Sequence, residues 1–261
     1  MFRPYHMLLV KLGGSVITDK MNYKVLREEV LSRLAGEIAG AGETTVVVHG
    51  AGSFGHVIAA QHRIQDGFRD ASQLMASSQV MEDVRVLDLA VTSALVRAGV
   101  PAVSLPPSAL VRLSDGKLES LDVDVFRRYL ELGIAPVTFG DVALDLKRGF
   151  GICSGDQLME VLARELTPRR IIFCSDVDGV YTCDPRSDPS ARMLEVVDKA
   201  TLDSLPRTRH CADVTGSIFG KIETMLRIAS HGGGSMVING LVPGRLAAAM
   251  KGEKVIGTKV V

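Results

Sequence analysis

Short runs that are apolar at every position alternate along this chain with longer runs in which apolar residues recur every three or four. Met7-Leu8-Leu9-Val10 is the first short run. Apolar side chains at successive positions fit a strand buried on both faces, as in a parallel sheet covered by helices. Residues 24–39 come next, with Val25, Val30, Leu34 and Ile38 spaced by Arg27, Glu28, Glu29 and Arg33. That spacing predicts an amphipathic helix, stopped by Gly40 and Gly42. Residues 45–48 read as a second strand. Residues 70–98, free of proline and glycine, read as a long helix with more apolar surface than a narrow stripe needs. Strands follow at 102–105 and 135–139, with a helix over 122–132 ended by Gly133. Pro106-Pro107 fits a turn opening a short helix, and Asp115-Gly116 a hairpin turn.

The second half repeats the pattern. Ser154, with Gln157 three residues on, is a capping box opening a helix through Leu166. Residues 170–174 are a fifth strand and 184–190 a polar loop. A helix carrying Lys221, a strand at 235–239, a short helix near 243–250 and a final edge strand at 255–261 complete the chain. Alternating strands and helices predict an α/β fold, a mainly parallel central sheet with helices on both faces. No composition break divides the 261 residues, so they read as a single domain. Its approximate lobes are 1–168 and 169–261. Residues 1–6 read as an extension before the first strand.

Composition narrows the function. Apolar residues make up 46% of the chain, enough for a sizeable core. Lysine plus arginine equals aspartate plus glutamate, 30 each, which argues against a general nucleic-acid or membrane-surface binder. The cysteines Cys153, Cys174, Cys183 and Cys211 form no C-x-x-C pair and read as reduced thiols. No apolar run is long enough for a signal peptide or a membrane span, so a cytoplasmic protein is expected.

The candidate chemistry lies where strands end in glycine. Val46-Val47-Val48 runs into His49-Gly50-Ala51-Gly52-Ser53-Phe54-Gly55-His56, and the first strand runs into Lys11-Leu12-Gly13-Gly14-Ser15. Glycine lets backbone approach a ligand closely, and successive N–H groups at a helix start favour negative charge. His56 adds a titratable donor. Lys11, Lys20 and Lys221 stand near glycines and suit phosphate charge. Asp176 and Asp178 follow the fifth strand, at the sheet edge where ligands sit in open α/β folds. Two glycine turns suggest two anionic groups meeting, the arrangement phosphoryl transfer needs. The P-loop and protein-kinase signatures are absent. Each motif also has a purely structural reading: a tight turn, a helix cap or a solvated lysine. His62, His210 and His231 have no supporting context, and His49 reads as a strand-end residue that supports the turn.

Lys11 through Ser15, Gly140-Asp141, Ser154-Gly155-Asp156, Asp176 through Tyr181, and Asp213-Val214-Thr215-Gly216 through Lys221 resemble, in that order, the amino acid kinase superfamily. The resemblance spans residues 7–261. His49 to His56, with Val16-Ile17-Thr18-Asp19-Lys20, look most like the archaeal-type isopentenyl phosphate kinases. The resemblance implies an amino acid kinase-like αβα sandwich, with 1–168 as the acceptor-phosphate lobe and 169–261 as the nucleotide lobe, and ATP-dependent phosphorylation of isopentenyl phosphate to the diphosphate. It implies Mg²⁺ with the ATP, and a homodimer. Lys11 and Lys221 would stabilise the transferring phosphoryl group, and Asp156 would orient the lysines. Gly13, Gly14, Ser15 and Lys20 would contact ATP phosphates. Asp176, Asp178, Gly179 and Tyr181 would lie around the nucleotide. Ala51, Gly52, Gly55, His56 and Gly155 would hold the acceptor. Ser217 stands where many relatives have a second glycine. Two alternatives are a superfamily kinase acting on acetylglutamate, aspartate, uridylate or carbamate, and a nucleotide-binding module without turnover.

Overall fold

The computed structural model describes the backbone of residues 7–183, 185–204 and 216–261, and the side chains of all of these except 216–219. The expectations for residues 1–6, His210, Cys211, Asp213-Val214-Thr215 and the side chain of Ser217 fall outside the described residues.

In chain order, β1 (Leu8–Leu12) leads through the single turn α1 (Gly14–Ile17) and α2 (Glu28–Ala41) to β2 (Thr45–His49). Then come α3 (Gly52–Gln61), the long α4 (Ser72–Arg97), β3 (Ala102–Ser104) and α5 (Pro107–Leu110). The hairpin β4 (Val111–Ser114) and β5 (Lys117–Leu121) precedes α6 (Val123–Glu131) and β6 (Ala135–Phe139). A second hairpin, β7 (Asp141–Asp145) and β8 (Gly149–Cys153), leads into α7 (Gly155–Leu166) and β9 (Arg170–Ser175). The remainder holds β10 (Val180–Tyr181), β11 (Met193–Leu194), β12 (Val196–Val197), α8 (Lys199–Ser204), α9 (Gly216–Ser230), β13 (Ser235–Asn239), α10 (Arg245–Lys251) and β14 (Thr258–Val260).

Eight strands form the main sheet in the order β12-β14-β13-β9-β1-β2-β6-β3. The six from β13 to β3 are parallel, while β14 runs antiparallel to β13 with β12 alongside it. All five residues of β1 are buried, and they alternate between two cores. Leu8, Val10 and Leu12 point to one face and pack with Leu34 of α2 and Leu87 of α4. Leu9 points to the other and joins Leu158 and Leu162 of α7. Period-two alternation with both faces covered is why the sequence shows a continuous apolar run rather than an alternating one. The sheet therefore crosses the whole chain, with β1 seated between β2 and β9; the expected lobe boundary at Thr167-Pro168 falls in the link from α7 to β9.

Two strand expectations change. The last strand is confined to Thr258–Val260 and is not an edge, because Val196 and Val197 pair with Lys259 and Val260. Two residues of β12 are too few to register as a periodic run. The hairpin β7–β8 was not expected: its turn, Leu146-Lys147-Arg148, and its mixed polarity hide the alternation. It joins β4 and β5 in a separate four-stranded sheet, β5-β4-β7-β8. The Asp145 carboxylate clamps that sheet by accepting the backbone N–H groups of Asp115, Gly116, Lys147 and Arg148. Four such donors hold its pKa low against the opposing effect of burial.

Candidate active site

Four parallel strands end in a glycine whose N–H extends the ladder one step onto its neighbour. Gly240 donates to the Ser175 carbonyl (2.8 Å), Gly13 to Cys174 (3.0 Å), Gly50 to Leu12 (3.0 Å) and Gly140 to His49 (3.1 Å). The carboxyl edge of the sheet thus carries a row of positions without side chains, the edge at which open α/β sheets bind ligands. The Gly13-Gly14 and Gly50–Gly52 turns pack backbone against backbone. A Cβ on Gly14 would lie 2.5 Å from the Gly52 nitrogen, and one on Gly50 would lie 2.7 Å from the Gly14 nitrogen. Gly52 also holds φ +51°, a conformation that L side chains rarely adopt. Thr18, fully buried, stitches the turns together: its hydroxyl donates to the Gly14 carbonyl (2.7 Å) and accepts from Ser53 N–H (3.1 Å). Sequence reasoning missed this role for Thr18, since nothing local marks a threonine as a link between residues 35 apart. Thr18→Val keeps the shape and removes the hydroxyl; the Gly14 carbonyl keeps the Thr18 backbone N–H (2.8 Å), but the buried Ser53 N–H loses its acceptor. Its expected cost is about 1–3 kcal/mol, read from urea unfolding.

Charge collects around these turns. Lys11 ends β1 nearly buried, pairs with Asp156 at the start of α7, and lies 5.8 Å from the centroid of the Phe173 ring. A Cβ on Gly155 would sit 3.3 Å from the Lys11 Cε and 3.4 Å from the His49 carbonyl, so a side chain there would press on the lysine. The Ser154 capping box is present as well, so Ser154-Gly155-Asp156 both caps α7 and aims a carboxylate at Lys11. Lys20 pairs with Asp176 at 2.9 Å, and Arg186 reaches the same carboxylate at 3.0 Å. Burial pushes Asp176 up, but Lys20, Arg186 and the Ser15 hydroxyl together hold it below the usual carboxylate range. Lys221 on α9 is held below the ordinary lysine value, first by burial and then by Lys11 and Lys20, with Asp156 and Asp176 opposing. Three lysines from remote parts of the chain thus share one electrostatic site with two carboxylates.

His56 lies in the second turn of α3 and is partly open to solvent. The protein packed around it, and then Lys221, Lys11 and Lys20, hold its pKa below 6.5. At neutral pH the ring is therefore mainly neutral, a hydrogen-bond donor rather than a further cation. His49 is fully buried, stacked on Phe139 at 5.1 Å, with Nε2 3.2 Å from the Asp88 carboxylate. That fixes the end of β2 from below, the supporting place expected of it. Beside α3 lies a third apolar cluster containing Ala59, Val80, Val84, Phe139 and Val142, with Ile152 packed against it. A Gly55 Cβ would be 2.7 Å from Ala51 Cβ and 3.1 Å from Val84, so only glycine lets α3 and α4 close here.

The structure thus brings Lys11, Lys20, Lys221, Asp156, Asp176, Gly13, Gly14, Ser15, Ala51, Gly52, Gly55, Gly155 and His56 to one edge of the sheet. Asp178 and Gly179 are taken up differently from expectation. Arg245 and Asn239 engage the Asp178 carboxylate, and Arg245, the first cause, lowers its pKa. Gly179 is pressed against the Thr258 hydroxyl. Tyr181 pairs with Met193 in the β10–β11 ribbon, and no contact ties it to the lysines among the described residues.

Glycine turns, converging lysines and carboxylates that hold those lysines in place define a small-molecule phosphotransferase of the αβα type. The amino acid kinase family model matches residues 6–239, and the chain belongs to that family. Among curated proteins it is 41% identical to the isopentenyl phosphate kinase of Methanothermobacter thermautotrophicus, over 97% of this chain and 98% of the relative. Among solved structures it resembles an isopentenyl phosphate kinase with a TM-score of 0.87 at 38% identity, covering 98% of this chain and all of the other. An isopentenyl phosphate kinase substrate complex gives 0.83 at 33% identity, over 98% of this chain and all of the other.

Proposed function

We propose that this chain transfers the γ-phosphoryl group of ATP to isopentenyl phosphate, giving isopentenyl diphosphate and ADP. An oxygen of the acceptor phosphate attacks the γ-phosphorus. The new P–O bond forms as the bond to the β-phosphate oxygen breaks, and the electron pair leaves with ADP. One observation carries the reading: two backbone-packed glycine turns, one beside Lys11 and one beside His56, meet within electrostatic reach of Lys221. The first turn would hold ATP through Gly13, Gly14, Ser15 and Lys20, with Asp176 steadying Lys20. The second would hold the acceptor phosphate through the N–H groups of Ala51, Gly52 and Gly55, with His56 as a further donor and Gly155 leaving room. Lys11, set by Asp156, and Lys221 would neutralise charge that builds on the transferring group. No general base is needed, because a phosphate monoester with its second pKa near ~6 is largely dianionic at neutral pH. The apolar cluster of Val80, Val84, Val142 and Ile152 supports an isoprenoid tail beside that phosphate.

Mg²⁺ would come with ATP. No group of three His, Cys, Asp or Glu side chains that could cage a metal lies among the described residues. Asp156 and Asp176 are committed to ammonium groups, so the triphosphate would supply most of the ligands. Among the described residues no helix is long and apolar enough to cross a membrane. The buried thiols Cys153 and Cys174 support the reducing cytoplasm. Exposed Val86, Leu89 and Val96 share one side of α4 and support a homodimer, which light scattering would report as twice the chain mass.

The test is an ADP-release assay with Mg-ATP and a panel of isopentenyl phosphate, dimethylallyl phosphate, acetylglutamate, aspartate, uridylate and carbamate. Turnover confined to the isoprenoid monophosphates is expected; preference for an amino acid or a nucleotide would overturn the proposal. His56→Ala is expected to raise the KM for isopentenyl phosphate roughly tenfold, with the KM for ATP within about twofold. His56→Gln, a neutral donor, should recover part of that loss to the extent that a hydrogen bond rather than charge holds the acceptor. An alanine enzyme with unaltered acceptor kinetics would remove His56 from the site.

A further inference from the structure

Between α1 and α2 the chain makes an excursion, residues 19–25, that carries Lys20. Its base is closed by an isolated bridge between Thr18 and Leu26 and by Asp19 N–H donating to the Val25 carbonyl at 2.9 Å. Its tip is largely exposed: Met21, Tyr23 and Val25 are all open to solvent, and Lys24 holds a positive φ of 58°. Such a segment has no core of its own to fix the lysine. Two side-chain contacts do so instead. On the nucleotide side Lys20 reaches Asp176. On the opposite side, Asp83 of α4 receives the tip. Its carboxylate, fully buried, accepts the Tyr23 hydroxyl on Oδ2, and Lys24 Nζ (2.6 Å) and Gln79 Nε2 (3.0 Å) on Oδ1.

Asp83 is one residue from Val84 and three from Val80, the α4 side chains that close on Gly55 of the acceptor turn. A buried carboxylate is retained at low free-energy cost only when its oxygens are fully paired. Here one donor comes from its own helix and two come from the excursion. Remove the carboxylate and the excursion loses both of its attachments to α4, leaving Lys20 held by its single ion pair to Asp176. Exposed ion pairs of that kind are weak.

We infer that Asp83 is a positioning residue for phosphoryl transfer: it straps the Tyr23-Lys24 tip to the acceptor wall and thereby holds Lys20 at the nucleotide end of the site. Asp83 touches neither reactant; it acts through Lys20. The inference rests on the proposed role of Lys20 at the ATP phosphates. It adds a mechanical link from the helix behind the acceptor to the lysine over the nucleotide.

The test uses the full-length enzyme and the variants Asp83→Asn, Tyr23→Phe, Lys24→Met, Lys20→Ala and the double variant Asp83→Asn/Lys20→Ala. Limited tryptic cleavage after Lys20, quantified by mass spectrometry, reads the strap independently of catalysis. Asp83→Asn is expected to speed that cut at least several-fold. It should also raise the KM for ATP roughly tenfold, with the KM for isopentenyl phosphate within about twofold. The double variant should be no worse than Lys20→Ala, because Asp83 works through that side chain. Tyr23→Phe and Lys24→Met, altered at the exposed end and unable to empty the core, should each show part of the effect. Unchanged cleavage in Asp83→Asn would overturn the strap. Losses that multiply in the double variant, or an equal rise in both KM values with a lower melting temperature, would make Asp83 merely structural. Ordinary ATP kinetics in Lys20→Ala would overturn the Lys20 reading, and the positioning role with it, whatever the cleavage shows.

Discussion

Replacing Lys221 by alanine is expected to lower kcat by about 10²–10³-fold while the KM for ATP shifts only a few-fold and the fold loses no stability. The asymmetry follows from the electrostatics of the lysines themselves. Lys221 is desolvated and faces Lys11 and Lys20, so its charge is disfavoured there; its lowered pKa states this directly. For a lysine, a folded pKa below the unfolded one means that the charged form destabilises the fold. That penalty is complete at pH values below the folded pKa, declines as pH rises above it and is gone once pH passes the unfolded pKa. Removing the amine at neutral pH therefore relieves repulsion, and the melting temperature should hold or rise. The repulsion is useful only once phosphate charge arrives. It is greatest in demand when charge spreads over the transferring phosphoryl group, so the loss belongs to kcat rather than to ATP affinity. Lys221→Arg should recover little, because a broad guanidinium cannot take the place of a compact ammonium. Single-turnover and steady-state kinetics, with thermal unfolding of the same preparations, check all three parts. An alanine variant with wild-type kcat would take Lys221 out of the reaction. Lost ATP binding together with a lowered melting temperature would make it structural.

The parts of this site that are legible in sequence are those in which one short stretch holds the whole signal. Lys11, Gly13 and Gly14 are readable because a doubly buried strand must announce itself as an apolar run, and the glycines fall where it ends. Ser154-Gly155-Asp156 is readable because a capping box spans only four residues. The illegible parts depend on contacts between distant positions. Asp178 reads as lying around the nucleotide, while its partner Arg245, 67 residues away, shows only in the fold. Thr18 and Asp88 look ordinary until the fold brings them to Ser53 and His49. Asp83 sits on a helix whose apolar pattern gives no hint that one acidic position points inward to two donors from a loop about 60 residues earlier. The β7–β8 hairpin is hidden for a different reason. Its strands carry Asp141 and Asp145 on an inward face, Asp145 held by four backbone N–H groups and Asp141 facing Arg85 at 3.4 Å, and a binary pattern reads buried aspartate as surface.

Gly14→Ala is expected to lower kcat/KM at least about 100-fold and stability by roughly 3 kcal/mol. The new Cβ would lie 2.5 Å from the Gly52 nitrogen and 2.6 Å from its Cα, where ordinary contacts begin near 3.4 Å. The obstacle is backbone on both sides, so no rotamer change relieves it. The turns must part by about 1 Å, a displacement that by itself can remove two orders of magnitude from a reaction depending on alignment. Gly52 cannot give way easily, since its positive φ and its contact with Thr18 hold it in place. The control is Gly36→Ala in α2, where an added Cβ meets nothing within 4 Å and the backbone is helical. That change should stabilise the protein by about 0.5–1 kcal/mol and leave turnover untouched. Urea unfolding and the ADP-release assay on both variants decide the matter. If Gly14→Ala kept its activity, the two turns would not need contact to align their phosphates, and the reading of the site as a pair of abutting cradles would fall. If it lost activity but not stability, the turns would already be loose enough to part, and their rigidity would have to come from the bound phosphates rather than from the protein.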